Sequence, residues 1–324
     1  MDKICRSTLS DAMAVFDSEL LVPLIEDLQR RVPNLAQRNP ELAAITKQVI
    51  AGDGSLFNTY SDVAWALMHR KSDGKKQAQI CLNLQLDVSN WSPQGMSISG
   101  DDGSEPSAFR ALIKPGVIYV NDRNFLDFKF MNAVLDGGSD LVLRVRSETP
   151  KFTVCKELPL CDKDRAHGVI SDRIGTLPGS AGTPAPPGQM LREVIIISPE
   201  TQKPIRLLAN LLDVPAYIIG LLYRERWQIE LFFRWLKGLA NFEHLISHSL
   251  NGLTLQFYIA VIGVLQICVR TGKRPSKYAF SLLGMVAAGQ ATLEEILPIL
   301  AQREREADME RARLARKRAE KKSV

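Results

Sequence analysis

The sequence predicts an α/β protein in which a mixed sheet is flanked by helices. Two apolar runs are typical of strands that carry a carboxylate to their ends: one closes at Asp53, and Gly116–Val120 leads into Asp122. Residues 145–207 combine β-branched runs with Gly and Pro, which predicts a β-rich insertion. A long amphipathic pattern around residues 223–237 then predicts a helix, so strands and helices belong to one core.

These patterns divide the chain into five segments. We expect an N-terminal helical region, a first core part, a β-rich insertion, a second core part and a basic helical tail, at residues 1–46, 47–144, 145–207, 208–272 and 273–324.

Within the first two segments, apolar spacing predicts an N-terminal helix capped by Ser10 or Asp11, with Phe16, Leu20, Leu21, Leu24, Ile25 and Leu28 on its apolar face. The first core strand should end at Asp53, because Gly54 and Ser55 are turn residues. Further patterns predict a helix at 61–69, a strand at 79–87 with one wetter face, a loop or edge hairpin at 89–106, a helix at 125–135 and a strand at 141–146.

The insertion should contain strands at 152–158 and 191–198, separated by a Gly/Pro-rich loop. The tail should begin as a helix with a capping box formed by Thr292 and Glu295. Beyond Arg303 charges fall on every face, which favours a solvated tail over an arm that binds nucleic acid or a partner.

The positive charge is concentrated at one end of the chain. The net charge is +5, and the stretch from Arg303 to Lys322 holds nine Lys or Arg against five Asp or Glu. The body of the 324-residue chain is therefore nearly neutral. A nucleic-acid-binding surface would have to come from clustered side chains, because bulk charge does not indicate one.

Cysteine and histidine usage argues against disulfides and zinc. The five cysteines include no pair with CxxC spacing, and His244 and His248 have no third partner for a metal site. Free thiols in a reducing compartment are expected. The first residues lack a signal-peptide pattern, and the apolar run Leu253–Val269 predicts a buried core helix instead of a membrane span.

Four polar residues share one face of the predicted helix: Tyr223, Arg226, Glu230 and Lys237. Their spacing places them within an arc of roughly 60° along about 20 Å of helix. Asp213 is the predicted cap, Pro215 fits the first turn and Gly238 the C-terminal cap. The opposite, buried side should comprise Leu221, Leu222, Ile229, Leu231, Phe232, Trp235 and Leu236. A solvated helix face is the plain alternative.

Three carboxylates stand out by position: Asp53 and Asp122 at strand ends, and Glu230 on the helix. Phosphodiester cleavage needs an activated water or hydroxyl and charge relief on the leaving oxygen, which two Mg²⁺ ions supply. Because Mg²⁺ keeps several waters, two or three carboxylates suffice as ligands and histidines are unnecessary. The pattern indicates a two-metal site.

The pattern Tyr-x2-Arg-x3-Glu-x6-Lys resembles the YREK signature of bacterial insertion-sequence transposases of the DDE type, in the insertion-sequence-four family. The order strand-Asp, strand-Asp, β-rich insertion, helix-Glu resembles the ribonuclease-H-like fold of these enzymes. The resemblance covers about residues 5–275. It includes the blocks STLSDAMAVFDSELLVPLIEDL, GDGS, NDRNFLDFKFMNAVLDGGSDLVLRVR and LYRERWQIELFFRWLKGL.

The resemblance implies a ribonuclease-H-like mixed sheet and a cut-and-paste transposase. Asp53, Asp122 and Glu230 would be the catalytic metal ligands for two Mg²⁺ ions, with Mn²⁺ as a substitute. Tyr223 and Arg226 would contact the DNA end, together with Lys237. The partners would be double-stranded DNA, at the terminal inverted repeats and the target, and a second copy of the chain in a synaptic homodimer. We expect a bacterial cytoplasmic, nucleoid-associated protein without a membrane partner.

Two other functions fit parts of the pattern. A catalytically silent or truncated relative could bind DNA and regulate transposition, although all three acidic residues are present. A plain ribonuclease-H-like nuclease could cut without strand transfer, but hydrolysis alone does not need the YREK face to hold a transposon end.

Overall fold

The computed structural model describes residues 6–33, 39–59, 66–70, 76–100, 105–146, 148–178, 189–238, 247–274, 276–287 and 290–320. Ten strands in this part of the chain form a single sheet. They are β1 (Val49–Asn58), β2 (Leu67–Arg70), β3 (Lys76–Asp87), β4 (Ser92–Ser99), β5 (Ile118–Asn121), β6 (Asp140–Val145), β7 (Thr153–Glu157), β8 (Val169–Thr176), β9 (Leu191–Ile197) and β10 (Pro204–Ala209).

Helices precede, interrupt and follow these strands. They are α1 (Arg6–Val15), α2 (Val22–Arg31), α3 (Glu105–Arg110), α4 (Phe128–Asp136), α5 (Asp162–Ala166), α6 (Ala216–Glu225), α7 (Trp227–Gly238), α8 (Leu250–Thr271), α9 (Lys277–Ala287) and α10 (Leu293–Glu320). The fold is therefore the mixed α/β arrangement that the sequence predicts.

The sheet is mostly antiparallel, with one parallel segment at its centre. The strand order is β2-β3-β1-β5-β6-β10-β9-β8-β7, and β4 also pairs with β3. Only the β1–β5 and β5–β6 ladders are parallel among the described pairs. The β1–β5 ladder ends with Gly52 opposite Asn121, so the next residue of each strand lies at the same edge of this parallel segment, where clefts form in α/β proteins.

Helices cover both faces of this sheet. On one face α2, α6, α7 and α8 pack on the sheet, with Trp91 against Phe232 at a ring distance of 5.2 Å and Phe57 against Phe257 at 5.3 Å. On the other face α3 and α4 bury a second core around Phe125. The sheet is thus the central layer of three.

Helix α8 contains the predicted apolar run. It is long and apolar enough to cross a membrane by length and composition, but 50% of its apolar window is buried inside the protein. Leu253, Phe257 and Val264 are fully covered within the first core, as expected of a core helix.

The β-rich stretch continues the same sheet. Strand β10 pairs antiparallel with β6, and β9, β8 and β7 follow outward in that order. Strands β7 and β9 match the predicted ones, whereas β8, β10 and α5 were not predicted individually. The predicted Gly/Pro-rich loop lies mostly at 179–188, outside the described residues. The proposed segment boundaries stay predictions.

Three predictions for the first core part are wrong in detail. Strand β1 does not end at Asp53 but continues to Asn58, because β3 pairs with it along its length. Strand β3 has no wet face, since Asn83 and Gln85 are fully buried. Residues 67–70 form a strand paired with β3, not the end of a helix, and residues 60–65 lie outside the described part.

The N-terminal prediction is also corrected. Helix α1 begins at Arg6, so Ser10 and Asp11 lie inside it and do not cap it. A single-turn helix at 18–21, capped by Asp17, separates α1 from α2. Only part of the predicted apolar face is buried: Ile25 and Leu28 are covered, whereas Phe16, Leu20 and Leu24 are exposed.

Other predictions are confirmed. Residues 92–99 form an edge strand in the predicted loop-or-hairpin region, and α4 and β6 lie where a helix and a strand were expected. Glu295 N–H donates to Thr292 Oγ1 at 3.3 Å, and Thr292 N–H donates to Glu295 Oε2 at 2.8 Å, which is the capping box of α10. Among the described cysteines, Cys155 and Cys161 are exposed and Cys81 and Cys268 are buried, while Cys5 and His244 lie outside the described residues. The expectation of a reducing compartment stays a prediction.

A buried arginine joins strands β8 and β9 to the start of α6. The Arg192 guanidinium on β9 makes a two-pronged ion pair with Asp172 on β8, through Nε–Oδ1 at 2.7 Å and Nη2–Oδ2 at 2.6 Å. Its remaining nitrogen donates to the carbonyls of Leu212 and Val214, just before α6. Both charged side chains are buried, with 5% of Arg192 and 3% of Asp172 exposed. The ion pair holds the guanidinium in place, and its bonds to the two carbonyls fix where α6 begins.

We predict that Asp172→Ala destabilises the protein by about 3–5 kcal/mol in urea unfolding, because it leaves Arg192 buried without its counter-charge. Asp27→Ala is the matched control, since it removes only exposed ion pairs, to Arg30 and Arg31, and should cost about 0–1 kcal/mol. Equal losses in the two variants would contradict the structural role of the buried pair.

Candidate active site at the end of the parallel strands

Strand register places Asp53 beside Asp122. The last parallel pair between β1 and β5 is Gly52 with Asn121, and the two aspartates directly follow these residues. Asp53 faces α7, and its Oδ1 accepts the N–H of Gly54 at 2.9 Å. Asp122 caps a short turn, where its Oδ1 accepts the N–H of Asn124 at 2.7 Å. The sheet thus delivers two half-buried carboxylates to one edge.

The predicted single helix is divided into α6 and α7 at Arg226. The Arg226 backbone keeps right-handed helical angles, but its N–H donates to Tyr223 O at 3.1 Å, a tighter turn than an α-helix makes. Pro215 is the N-cap residue and no side chain caps the helix, so the prediction of Asp213 as cap is wrong. The predicted buried side is confirmed except that Leu231 is only partly covered.

Arg226 joins the sheet to the helix. Its Nη1 lies 3.5 Å from Asp53 Oδ2, and its Nη2 forms a hydrogen-bonded ion pair with Glu230 Oε1. Burial opposes the charge, but the surroundings, namely Tyr223, Glu230 and Asp53, outweigh it and raise the pKa of the guanidinium. Arg226 therefore stays cationic and draws carboxylates from β1 and α7 to one position.

Tyr223 and Lys237 extend this face in both directions. The Arg226 guanidinium carbon lies 5.7 Å from the centre of the Tyr223 ring, and Lys237 Nζ lies 4.9 Å from the centre of the Phe57 ring on β1. The Tyr223 hydroxyl is buried and has no hydrogen-bond partner among the described residues. The four predicted polar residues thus face the sheet edge and are not a solvated surface.

The donor set suits a hard cation in type. Asp53, Asp122 and Glu230 offer only carboxylate oxygens, which Mg²⁺ prefers. The structure brings Asp53 and Glu230 to the same guanidinium, whereas Asp122 is turned toward its own turn. Within the described ranges, no three Asp, Glu, His or Cys side chains are gathered closely enough to hold a metal. Which residues bind a metal stays a prediction.

Two features next to the site were not predicted from the sequence. Asn121 is buried, and its Nδ2 donates to the carbonyl of Gly52 at 3.2 Å. A groove of about 1020 Å³ also runs beside Arg226. Its walls are the α6–α7 junction, the β9–β10 turn at 198–202 and residues 167–169. Both depend on strand register and packing, which local sequence patterns do not report.

Fold and site together define an α/β protein with a carboxylate–arginine cluster at the edge of its parallel strands. Residues 45–265 match the family described as the transposase DDE domain. This match spans more than half of the chain and includes Asp53, Asp122 and Glu230. The chain belongs to the transposase DDE domain family.

Two relatives are named as transposases. The chain is 25% identical over 214 residues to a protein of Sinorhizobium fredii named as a transposase, covering 64% of this chain and 57% of that one. It is 33% identical over 69 residues to a protein of Geobacillus stearothermophilus named as the transposase of an insertion sequence element, covering 21% and 18%. The chain thus spans little more than half of the first relative and a fifth or less of the second.

A solved structure also aligns with this fold. It is the cryo-EM structure of the piggyBac transposase synaptic complex with hairpin DNA, with a TM-score of 0.41 and 10% identity. The alignment covers 76% of this chain and 55% of that chain. At that level of similarity it carries no conclusion about the site.

We predict that Lys237→Met stabilises the protein at neutral pH. Burial lowers the pKa of the Lys237 ammonium from the ordinary value of 10.5, although Cys81 opposes the shift. Folding therefore disfavours the charged form, and this cost disappears as pH rises toward the pKa of the unfolded chain. In thermal melting, the variant should be more stable than wild type at neutral pH, and this difference should shrink as the pH rises to about 10.

Lys163→Met is a control with the opposite expected effect, because folding raises the pKa of Lys163 and lowers that of Lys237. The hydrogen bond to Glu41 raises the pKa of Lys163, so its charge stabilises the folded state below the ordinary lysine pKa. This variant should melt at a lower temperature than wild type. A Lys237→Met protein that is also less stable at neutral pH would contradict the assigned burial cost.

Proposed function

We propose that this protein is a cut-and-paste DNA transposase of the insertion-sequence-four type with a YREK signature and a ribonuclease-H-like core. The observation that carries the proposal is the convergence of Asp53 and Glu230 on the Arg226 guanidinium. Asp53 lies on the first core strand, Asp122 follows β5, and Glu230 lies on a helix beyond the inserted strands. That is the order that the resemblance requires.

Asp53, Asp122 and Glu230 would hold two Mg²⁺ ions, or Mn²⁺ in their place. Bound there, the ions supply an activated water or DNA hydroxyl and charge relief on the leaving oxygen. The chain's own contribution is to hold the three carboxylates on two rigid elements, a sheet edge and a helix. Before a metal binds, the positive charge of Arg226 between Asp53 and Glu230 would limit the repulsion between the two carboxylates.

The DNA end would lie along Tyr223, Arg226 and Lys237. A buried hydroxyl without a partner is rare in folded proteins. The Tyr223 hydroxyl has none within the described part of the chain, and it lies beside a guanidinium. A phosphate oxygen of DNA satisfies both groups, since arginine and hydroxyl donors are common phosphate contacts. The adjoining groove, which Arg224 also lines, leaves room for a strand to approach.

The whole reaction requires two ends, so we propose a homodimer that synapses the terminal inverted repeats and joins them to target DNA. A bacterial cytoplasmic location at the nucleoid follows from that substrate. The second candidate is a silent DNA-binding relative that regulates transposition. A nuclease without strand transfer is disfavoured, because it would have no use for the aligned Tyr223, Arg226 and Lys237.

The central test replaces each carboxylate by its amide, as Asp53→Asn, Asp122→Asn and Glu230→Gln. Each variant should lose Mg²⁺-dependent cleavage of a duplex carrying the element's own terminal repeats and keep binding to that duplex. Asp87→Asn is a matched control. Asp87 is the last residue of β3, opposite Ile50 of β1 and outside the proposed site, so this variant should cleave DNA normally. A wild-type protein that binds the repeats and never cuts them in Mg²⁺ or Mn²⁺ supports the silent relative.

Arg226→Ala tests the phosphate contact. Affinity for the terminal-repeat duplex, measured in EDTA across a salt series, should fall, and the slope of log affinity against log salt should shrink by about one phosphate contact. Arg31→Ala, which removes an exposed arginine on α2, should leave the slope unchanged. An Arg226→Ala slope equal to that of wild type would remove the phosphate role.

A further inference from the structure

Asn121 links β1 and β5 at the last pair of their ladder, directly before Asp53 and Asp122. The parallel β1–β5 ladder ends with Gly52 opposite Asn121, and Asp53 and Asp122 follow. The Asn121 side chain crosses to β1 and donates to the Gly52 carbonyl at 3.2 Å. It is 2% exposed, so water does not compete for this hydrogen bond.

Glycine at position 52 makes room for this contact. A Cβ atom there would lie 2.5 Å from Asn121 Nδ2, closer than such atoms approach, and 3.4 Å from the Phe109 ring. The Asn121 amide therefore fills the space that any other residue at position 52 would need. Gly52 has no side chain, and the Asn121 amide occupies the space in which one would lie.

The contact lies on the opposite face of the sheet from Arg226. Successive strand residues point to opposite faces, so Asp53 faces α7 while position 52 faces Phe109 and α3. Asn121 can thus fix the separation of the two strands without occupying the space in front of the carboxylates. Asn121 would therefore influence the site through the backbone of β1, not by contact with the metal or the carboxylates.

We propose that Asn121 is a positioning residue that sets the spacing of Asp53 and Asp122 for metal binding, through its hydrogen bond to Gly52. This inference rests on the proposed function, in which both aspartates hold the metal. Residues that orient metal ligands are usually worth about 10–100-fold in metal affinity when they are replaced. We expect an effect of that size on Mn²⁺ binding, with DNA-end binding unchanged.

Gln85 provides a matched control. It lies opposite Gly52 on β3, on the same face of the sheet, and is fully buried. Its side-chain amide has no hydrogen-bond partner among the described residues, so it does not hold β1. Replacing such a group by an apolar one of similar size is close to neutral. Gln85→Leu and Asn121→Leu therefore differ mainly in whether a bond to Gly52 is lost.

The experiment measures Mn²⁺ binding to the full chain by electron paramagnetic resonance of the free ion, without DNA. Asn121→Leu should bind Mn²⁺ about 10–100-fold more weakly than wild type, and Gln85→Leu should match wild type. Gly52→Ala attacks the same contact from the other strand and should weaken binding similarly. Duplex affinity in EDTA and melting curves show that each variant is folded.

The double variant Gly52→Ala with Asn121→Ala separates the hydrogen bond from packing. It relieves the clash at position 52 but has no amide donor, so Mn²⁺ affinity should stay low. Recovery to the wild-type value would overturn the proposal, because space alone would then explain both single variants.

Asp53→Asn distinguishes failure of the proposed metal role of the aspartates from failure of the positioning role of Asn121. If Asp53→Asn leaves Mn²⁺ affinity unchanged, the metal role of the aspartates fails, and the proposed function fails with it. If Asp53→Asn abolishes binding while Asn121→Leu and Gly52→Ala bind like Gln85→Leu, only the positioning role is overturned.

Discussion

A single guanidinium joins the two elements on which the site depends. Arg226 lies where α6 becomes α7, and it binds Asp53 from the sheet and Glu230 from the helix. Two carboxylates repel each other when they approach, so their meeting requires a positive group between them. The tightened turn at Arg226 matters for the same reason, since it aims the side chain at β1 without ending the helical path.

The sheet supplies the second constraint. Most of its ladders are antiparallel, and the exceptions are the central β1–β5 and β5–β6 ladders, of which the first leads into the two aspartates. The residues that follow the last pair of a parallel ladder lie at the same edge of that ladder, so two carboxylates from distant parts of the chain become neighbours. The hydrogen bond from Asn121 to Gly52 lies at the end of the β1–β5 ladder, and Arg192 fixes the start of α6 relative to β8 and β9. The parallel ladder and the start of α6 are thus each held by a buried contact outside the site.

Much of this arrangement can be predicted from the sequence, because helix periodicity and apolar runs are local. The apolar side of the helix at 223–237 follows a period of about 3.6 residues, and burial confirms it apart from Leu231. The spacing of Tyr223, Arg226 and Glu230 likewise predicts that they share a face. These features need no knowledge of which elements pack together.

The remaining features depend on pairing between distant segments. Gly54 and Ser55 are turn residues, yet β3 pairs with them and extends β1 to Asn58. The same pairing buries Asn83 and Gln85, which the alternating pattern assigned to a wet face. The hydrogen bond from Asn121 to Gly52 requires the exact register of two strands that are far apart in sequence, and no local pattern encodes that register.

The most direct measurement of the central claim is anomalous diffraction from crystals of the protein soaked in Mn²⁺. We predict anomalous density bounded by Asp53, Asp122 and Glu230, with the Arg226 guanidinium moved from its position between Asp53 and Glu230. Density at another cluster, or none here while Arg226 keeps both ion pairs at saturating Mn²⁺, would contradict the claim that these carboxylates form the metal site.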